Sequence, residues 1–336
     1  MSGDEVGEAI GGTHRLATAA PLIAAGVTVV LWASAFVAIR HVGADLTAGP
    51  LALGRLLVGS VVLGALVLGQ SLRQRGARAA RSGAAGWPRR WGWLCVVVCG
   101  LAWFGMYNVA LNAAELRLDA GTAAMLVNVG PILLAVLAGV ILREGFPRML
   151  VIGVLVAFAG VLVMGAATAR PGAGDLSGVL LCLLAAVGYA VGVLSQKPVL
   201  ATTSALRTTW LAATVGALAC LPYAPQLVRE LSAAPAGALL WTVYLGALPT
   251  ALAFTTWAYA LARTSAARMG ATTYLVPPIA VLLGWLLLGE APAALALVGG
   301  GICLVGVALT RRAPHRSPGR PAAEQADEPA HSGAAD

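Results

Sequence analysis

Long apolar stretches alternate with short charged ones along nearly the whole chain, and the charges mark where each stretch ends. A helix that crosses a bilayer needs about 20 apolar residues at a rise of about 1.5 Å each. No charge occurs between Arg15 and Arg40, which delimits a first span centred near Leu31. The same reading predicts spans over residues 47–70, 90–115, 119–143, 148–170, 176–196, 208–228, 237–262 and 268–290, and a tenth ending at Arg311. Arg55 is the only charge inside a span. A soluble helical protein has no reason to repeat this length ten times, so the expected fold is an all-α integral membrane protein with ten transmembrane helices.

Composition agrees with that pattern. Hydrophobic residues make up 59% of the 336 residues and charged ones 11%, against about a quarter charged in a soluble domain. The net charge of +8 is spread over short runs between apolar stretches. It therefore reads as membrane topology, and no nucleic-acid partner is expected. With the N-terminus inside, seventeen lysines and arginines fall in inner segments and four in outer ones. Basic residues stay on the cytoplasmic side, so both termini are predicted inside a multi-pass protein of the cytoplasmic membrane. Residues 1–20 hold Asp4, Glu5 and Glu8 and lack a basic leader, so the first apolar segment is expected to be retained. The Pro- and Ala-rich tail after Arg312 is predicted to be disordered. The five cysteines lie inside apolar stretches without a CxxC pair. They read as small packing residues rather than disulfides or metal ligands, and neither a metal nor a cofactor is expected.

The chain also repeats itself. Asn128-Val129-Gly130-Pro131 opens a stretch ending at Glu144, and Tyr274-Leu275-Val276-Pro277 opens one ending at Glu290, with equal proline-to-glutamate spacing. Gly153 and Gly160 correspond to Gly299 and Gly306 at the same offset of 146 residues. Trp32 precedes Arg40 as Tyr189 precedes Lys197, at an offset of 157. Five spans per repeat is an odd number, so the repeats must insert with opposite sense. The expected domains are a cytoplasmic N-terminal tail (1–19), repeat one (20–169), repeat two (174–312) and a cytoplasmic tail (313–336). Inverted repeats are characteristic of carriers, because exchanging the conformations of two equivalent halves moves the opening from one side to the other.

These halves resemble paired EamA domains of the drug/metabolite transporter superfamily. The resemblance rests on Trp32-Ala33-Ser34-Ala35-Phe36, on Pro50 with Arg55, and on Pro131 with Glu144. The second half matches through Tyr189-Ala190 with Lys197, Gly246 with Pro249-Thr250-Ala251 and Trp257, and Tyr274 to Pro277 with Gly284 and Glu290. It covers about residues 20 to 312; one departure is Tyr189, where the family pattern has tryptophan. The resemblance implies a ten-helix carrier of small metabolites, with a central cavity lined by spans one, three, four, six, eight and nine. It also implies export of amino acids, other metabolites or toxic compounds.

Lipid-facing positions have no use for hydrogen-bonding groups, so polar and aromatic residues at mid-depth are expected to point inward. Trp32, Tyr107, Asn108, Asn128, Tyr189, Trp257 and Tyr274 are therefore the candidate substrate-binding residues, since an indole or phenol both stacks and donates a hydrogen bond. The alternative role for them is interhelical contact or an interfacial belt; Trp241 and Tyr244 read as belt residues. Arg55 either snorkels outward or meets an anionic substrate group or a carbonyl. Pro131 and Pro277 mark helix breaks suited to gating, and Glu144 and Glu290 read as caps of helix ends. No acidic residue or histidine lies at mid-membrane, and Glu115 and Asp119 are expected to act only at the surface. The chain lacks a P-loop, an HExxH and a Ser–His couple, so neither ATP-driven transport nor an enzyme is expected. A non-transporting scaffold or receptor is the other alternative. The substrate is expected to be a neutral or zwitterionic small organic, carried by exchange or facilitated export, and the protein a monomer or weak homodimer.

Overall fold

The computed structural model describes residues 3–77, 86–117, 126–168, 176–288 and 294–312. Among these residues every regular element is helical. Six helices are long and apolar enough to cross a membrane. They are α1 (Gly3–Val42), α2 (Ala48–Ala77), α3 (Arg90–Glu115), α6 (Leu176–Val199), α9 (Ala236–Leu261) and α10 (Ala266–Leu287). Between them lie α4 (Gly130–Ile141), α5 (Arg148–Thr168), α7 (Ala205–Ala219), α8 (Ala224–Ala233) and, after α10, α11 (Ala294–Arg311). Large apolar side chains such as Val61, Leu180, Leu240 and Leu286 are exposed on the outside of this bundle. In water such a surface would be untenable; in a bilayer it is the solvent-facing side.

Two expected spans come out differently. The run 208–228 is not one straight helix: α7 ends at Ala219, and the chain turns by 52° through Leu221–Tyr223 before α8. Pro222 in that turn brings no N–H to a continuing ladder. Glu230 of α8 then accepts hydrogen bonds from the Thr47 backbone N (2.9 Å) and Thr47 Oγ1 (2.7 Å), covering the start of α2. The helix after Asn128 is also short, because a turn at residues 128–129 interrupts the chain before Pro131. The corresponding stretch of α10 holds a 3-10 turn, Thr273–Leu275, just before Pro277. There Val276 N–H takes the Thr273 carbonyl that Pro277 cannot serve,.

The offset of 146 extends well beyond the motifs. It carries Arg90–Glu115 onto Ala236–Leu261, residue for residue. Inside each of these helices lies a π-helical segment, Gly100–Met106 in α3 and Gly246–Leu252 in α9, again 146 apart. Each begins with a glycine pressed on a neighbour's backbone. A Cβ at Gly100 would stand 2.7 Å from the Ala212 carbonyl, and one at Gly246 would stand 2.7 Å from the Arg55 carbonyl. Side chains add hydrogen bonds to carbonyls of these widened turns. Asn108 Nδ2 donates to the carbonyls of Phe104 (2.8 Å) and Trp103 (3.2 Å). In α9 Pro249 cannot bond the Leu245 carbonyl, and Thr250 Oγ1 donates to it instead at 2.8 Å.

Helices α5 and α11 pack on each other through the paired glycines. Gly153 meets the carbonyl of Gly306, Gly160 meets that of Gly299, and Cys303 Sγ donates to the Ala157 carbonyl at 3.3 Å. Cys303 is itself Ala157 shifted by 146, so the contact is made by equivalent positions crossing. Small residues let two backbones approach in lipid, where no hydrophobic drive is available. All five cysteines are free.

Candidate functional site

A cavity of about 90 Å³, open on one side to a wider cleft, lies between the helices. Trp32, Ala35, Phe36 and Ile39 of α1 form one wall, and Tyr107, Asn108 and Leu111 of α3 another. Val127, Asn128 and Pro131 come from the broken entry to α4, Tyr189 from α6, Phe254 from α9, and Thr273 and Val276 from α10. Arg55 of α2 is the only charged residue in the lining among the described residues. These are spans one, three, four, six, eight and nine, with span two added. Irregular backbone at membrane depth is tolerable where it lines such a cavity, and both proline breaks sit on it.

Of the candidate residues, Trp32, Tyr107, Asn108, Asn128, Tyr189, Arg55 and Pro131 lie on the wall; Trp257 and Tyr274 do not. Trp257 is fully buried behind Trp32, with ring centroids 5.0 Å apart, in a cluster with Trp103, Tyr189 and Phe254. Tyr274 is fully buried near Cys303 of α11, since the 3-10 turn gives its cavity place to Thr273. Tyr244 does more than sit in a belt: its hydroxyl bonds Ser34 Oγ at 2.7 Å. Pro277 follows the lining residue Val276, and Glu290 lies outside the described residues.

Phe254 and Thr273 on the wall, and Trp103 behind it, were not among the expected residues. The offset holds the missing signal: Phe254 is the counterpart of Asn108 and Thr273 of Val127, both on the wall. Trp103 stacks edge-on against Tyr189 (5.5 Å) and Phe254 (4.9 Å), so it stiffens the aromatic wall from behind. The Trp32 indole N–H is buried without a hydrogen-bond partner among the described residues. Such a donor costs about 1–3 kcal/mol when left unserved, and a polar ligand on this wall would serve it.

Arg55 does not snorkel. It is 5% exposed, and its Nε donates to Thr250 Oγ1 at 3.0 Å. Through that hydroxyl the guanidinium is tied to the π-helical segment of α9. Glu115, at the end of α3, is half-buried with Oε1 shielded from solvent.

Glu144 is a cap. Its Oε1 and Oε2 accept from the backbone N of Ala266 (2.7 Å) and Ala267 (3.1 Å), the first residues of α10. The turn that aims it holds Arg143 and Gly145 at φ 55° and 70°. Lys197 Nζ donates to the carbonyls of Leu261 and Thr264 at the other side of the same α9–α10 turn. An acid on a helix start and a base on a helix end both oppose the local dipole. Glu144→Ala is expected to cost about 0.5–2 kcal/mol, the range for a lost cap, seen as a lower melting temperature in detergent. Glu144→Gln should recover only part of the loss.

The EamA-like transporter family model matches residues 20–166 and again residues 176–312. The chain is 36% identical over 287 residues to the probable terminal-alkyne amino-acid exporter of Streptantibioticus cattleyicolor, covering 85% of this chain and 91% of that protein. It is 31% identical over 219 residues to the uncharacterized transporter YdfC of Bacillus subtilis, covering 64% and 70%. To the probable amino-acid metabolite efflux pump of Salmonella typhimurium it is 23% identical over 213 residues, covering 61% and 71%. A solved crystal structure superposes with a TM-score of 0.67 at 20% identity over 86% of this chain and 96% of that one, a likeness of fold alone.

Proposed function

The chain belongs to the EamA-like transporter family, and on that premise we propose a secondary carrier that exports a small neutral or zwitterionic, amino-acid-like metabolite by alternating access. It is a multi-pass membrane transporter and not an enzyme. The proposed architecture is two inverted repeats of five spans, residues 20–169 and 174–312, with both termini on the cytoplasmic side. Six long spans, the bent α7–α8 pair and the shorter apolar helices in α4, α5 and α11 together support ten. The charge asymmetry supports the orientation.

The observation that carries this reading is the cavity itself. Equivalent positions of the two halves line its wall: Trp32 and Tyr189, Asn108 and Phe254, Val127 and Thr273. Rocking one set of broken helices against the other would change which end is open without rebuilding the site. The wall offers aromatic faces, two amides and one cation, which suits an organic molecule with one charged head better than a polyanion. The names of two relatives support export of amino-acid compounds.

Counterflow in proteoliposomes loaded with an unlabelled amino acid tests this. Wild-type protein is expected to accumulate the labelled amino acid transiently against its gradient. Flux no different from protein-free vesicles across an amino-acid panel would leave a scaffold or receptor as the better reading.

A further inference from the structure

Arg55 donates its Nε to Thr250 Oγ1 at 3.0 Å, and the two terminal nitrogens of its guanidinium have no hydrogen-bond partner among the described residues. Unlike Trp32 Nε1, those nitrogens are not sealed off from solvent. They therefore open onto the cavity that Arg55 lines. The Tyr107 hydroxyl stands the same way: unbonded among the described residues, not sealed off, and carried by a residue of the same wall.

Helices α2 and α3 hold these two donors at nearly one depth. Asn112 Nδ2 of α3 donates to the Ala48 carbonyl of α2 at 3.2 Å, which fixes the level of one helix on the other. The two are consecutive spans and run antiparallel, so a step forward along α2 matches a step backward along α3. At a rise of about 1.5 Å per residue, Arg55 lies about 10 Å from that contact and Tyr107 about 7.5 Å from it, in the same direction. Thr250 holds the guanidinium by its Nε. The edge formed by the two terminal nitrogens stays clear, and its parallel N–H groups are the geometry that a carboxylate matches.

We infer that Arg55 and Tyr107 form the recognition site for a carboxylate head group, with the apolar body of the substrate lying on Trp32, Tyr189 and Phe254. A guanidinium this enclosed is a charge held away from water at a cost. A carboxylate offsets that cost with two charge-assisted hydrogen bonds, which a neutral amide, ester or alcohol does not match. The inference rests on the proposed export of amino-acid-like compounds and names the group by which the site selects among them, the acid end.

The test uses the full chain in proteoliposomes, with counterflow of labelled L-norleucine challenged by unlabelled L-norleucine and by L-norleucinamide, which differ only at the acid end. In wild type the amide is expected to compete roughly tenfold less well or worse, the worth of a hydrogen bond to a charged group. Arg55→Gln should raise the KM for norleucine by roughly tenfold or more and bring the two competitors within about threefold of each other. Arg55→Lys, which keeps the charge and loses the fork, should fall between. Tyr107→Phe should raise that KM by about threefold with the maximal rate kept, as for the loss of one neutral donor. If Arg55→Gln does not yield folded protein, Arg55→Lys and Tyr107→Phe decide. A full preference over the amide in Arg55→Gln, with the rate lowered for every substrate alike, would make Arg55 only a strut for Thr250 and overturn the inference. Wild-type KM and preference in both Arg55→Lys and Tyr107→Phe would overturn it too. No wild-type counterflow with any amino acid would sink the export reading and this inference with it, whereas a retained preference sinks this inference alone.

Discussion

Replacing Gly306 by alanine is expected to cripple the folded carrier, whereas the same change five residues earlier at Gly301 should do no harm. The Cβ added at Gly306 would stand 2.3 Å from the Ala157 backbone N and 2.6 Å from its Cα. Backbone cannot rotate away as a side chain tip can, so α5 and α11 would have to separate along their whole crossing. Overpacking of this kind costs about 1–3 kcal/mol and more where the neighbours are rigid. Gly301 has nothing within 4 Å of its added Cβ. There alanine brings only its better helix propensity, about 1 kcal/mol in its favour. Melting followed by size-exclusion chromatography should show the Gly306 variant aggregating well below wild type and the Gly301 variant at or above it. Gly160→Ala, which meets Gly299 and Cys303 backbone at 2.6 Å, should behave like Gly306→Ala.

The largest expected effect on transport without a change of shape comes from Thr250→Val. One hydroxyl holds two roles at that point. It donates to the Leu245 carbonyl, which Pro249 cannot serve, and it accepts from Arg55 Nε. Valine keeps the outline and removes both bonds, so a buried carbonyl and a buried guanidinium nitrogen each lose a partner. The carbonyl keeps the backbone N–H of residue 250 through the π-helical turn, whereas the orphaned guanidinium nitrogen costs about 1–3 kcal/mol or more, being charged. Arg55 would then turn within the cavity to find another acceptor. Counterflow rates are expected to fall more than tenfold, and Thr250→Ser, which keeps both bonds, should retain most of the rate. Equal rates in the valine and serine variants would show that the Arg55–Thr250 contact does not hold the site.

Much of this was legible in the sequence, and the reasons differ by element. Charges fixed the ends of α3, α6 and α9 because an ion at a span end is cheap and one inside is not. The bend after α7 was not legible, since an apolar run reports burial in lipid and says nothing of direction. The π-helical segments were hidden too. Pro249 announces one, but its counterpart at Gly100–Met106 has no proline, and its widening depends on contacts with α7. On the cavity wall, Trp32 and Tyr189 could be named because an aromatic at mid-depth needs an inward place. The same logic named Trp257 and Tyr274, which point inward yet pack between helices. Polarity at depth separates lipid from interior; it does not separate a cavity from a helix contact. Applying the 146-residue offset to Asn108 would have recovered Phe254; Thr273 pairs with Val127, an apolar position that nothing in the sequence singled out.

The central claim is that substrate passes through the cavity bounded by Trp32, Tyr107, Asn128 and Tyr189. It is tested most directly by placing one cysteine at Asn128 in a background with the five native cysteines replaced. Amino-acid counterflow is then measured before and after treatment with a bulky methanethiosulfonate reagent, with and without excess substrate. The expected result is flux that modification abolishes and that bound substrate protects. Full flux after complete labelling at position 128 would contradict the claim.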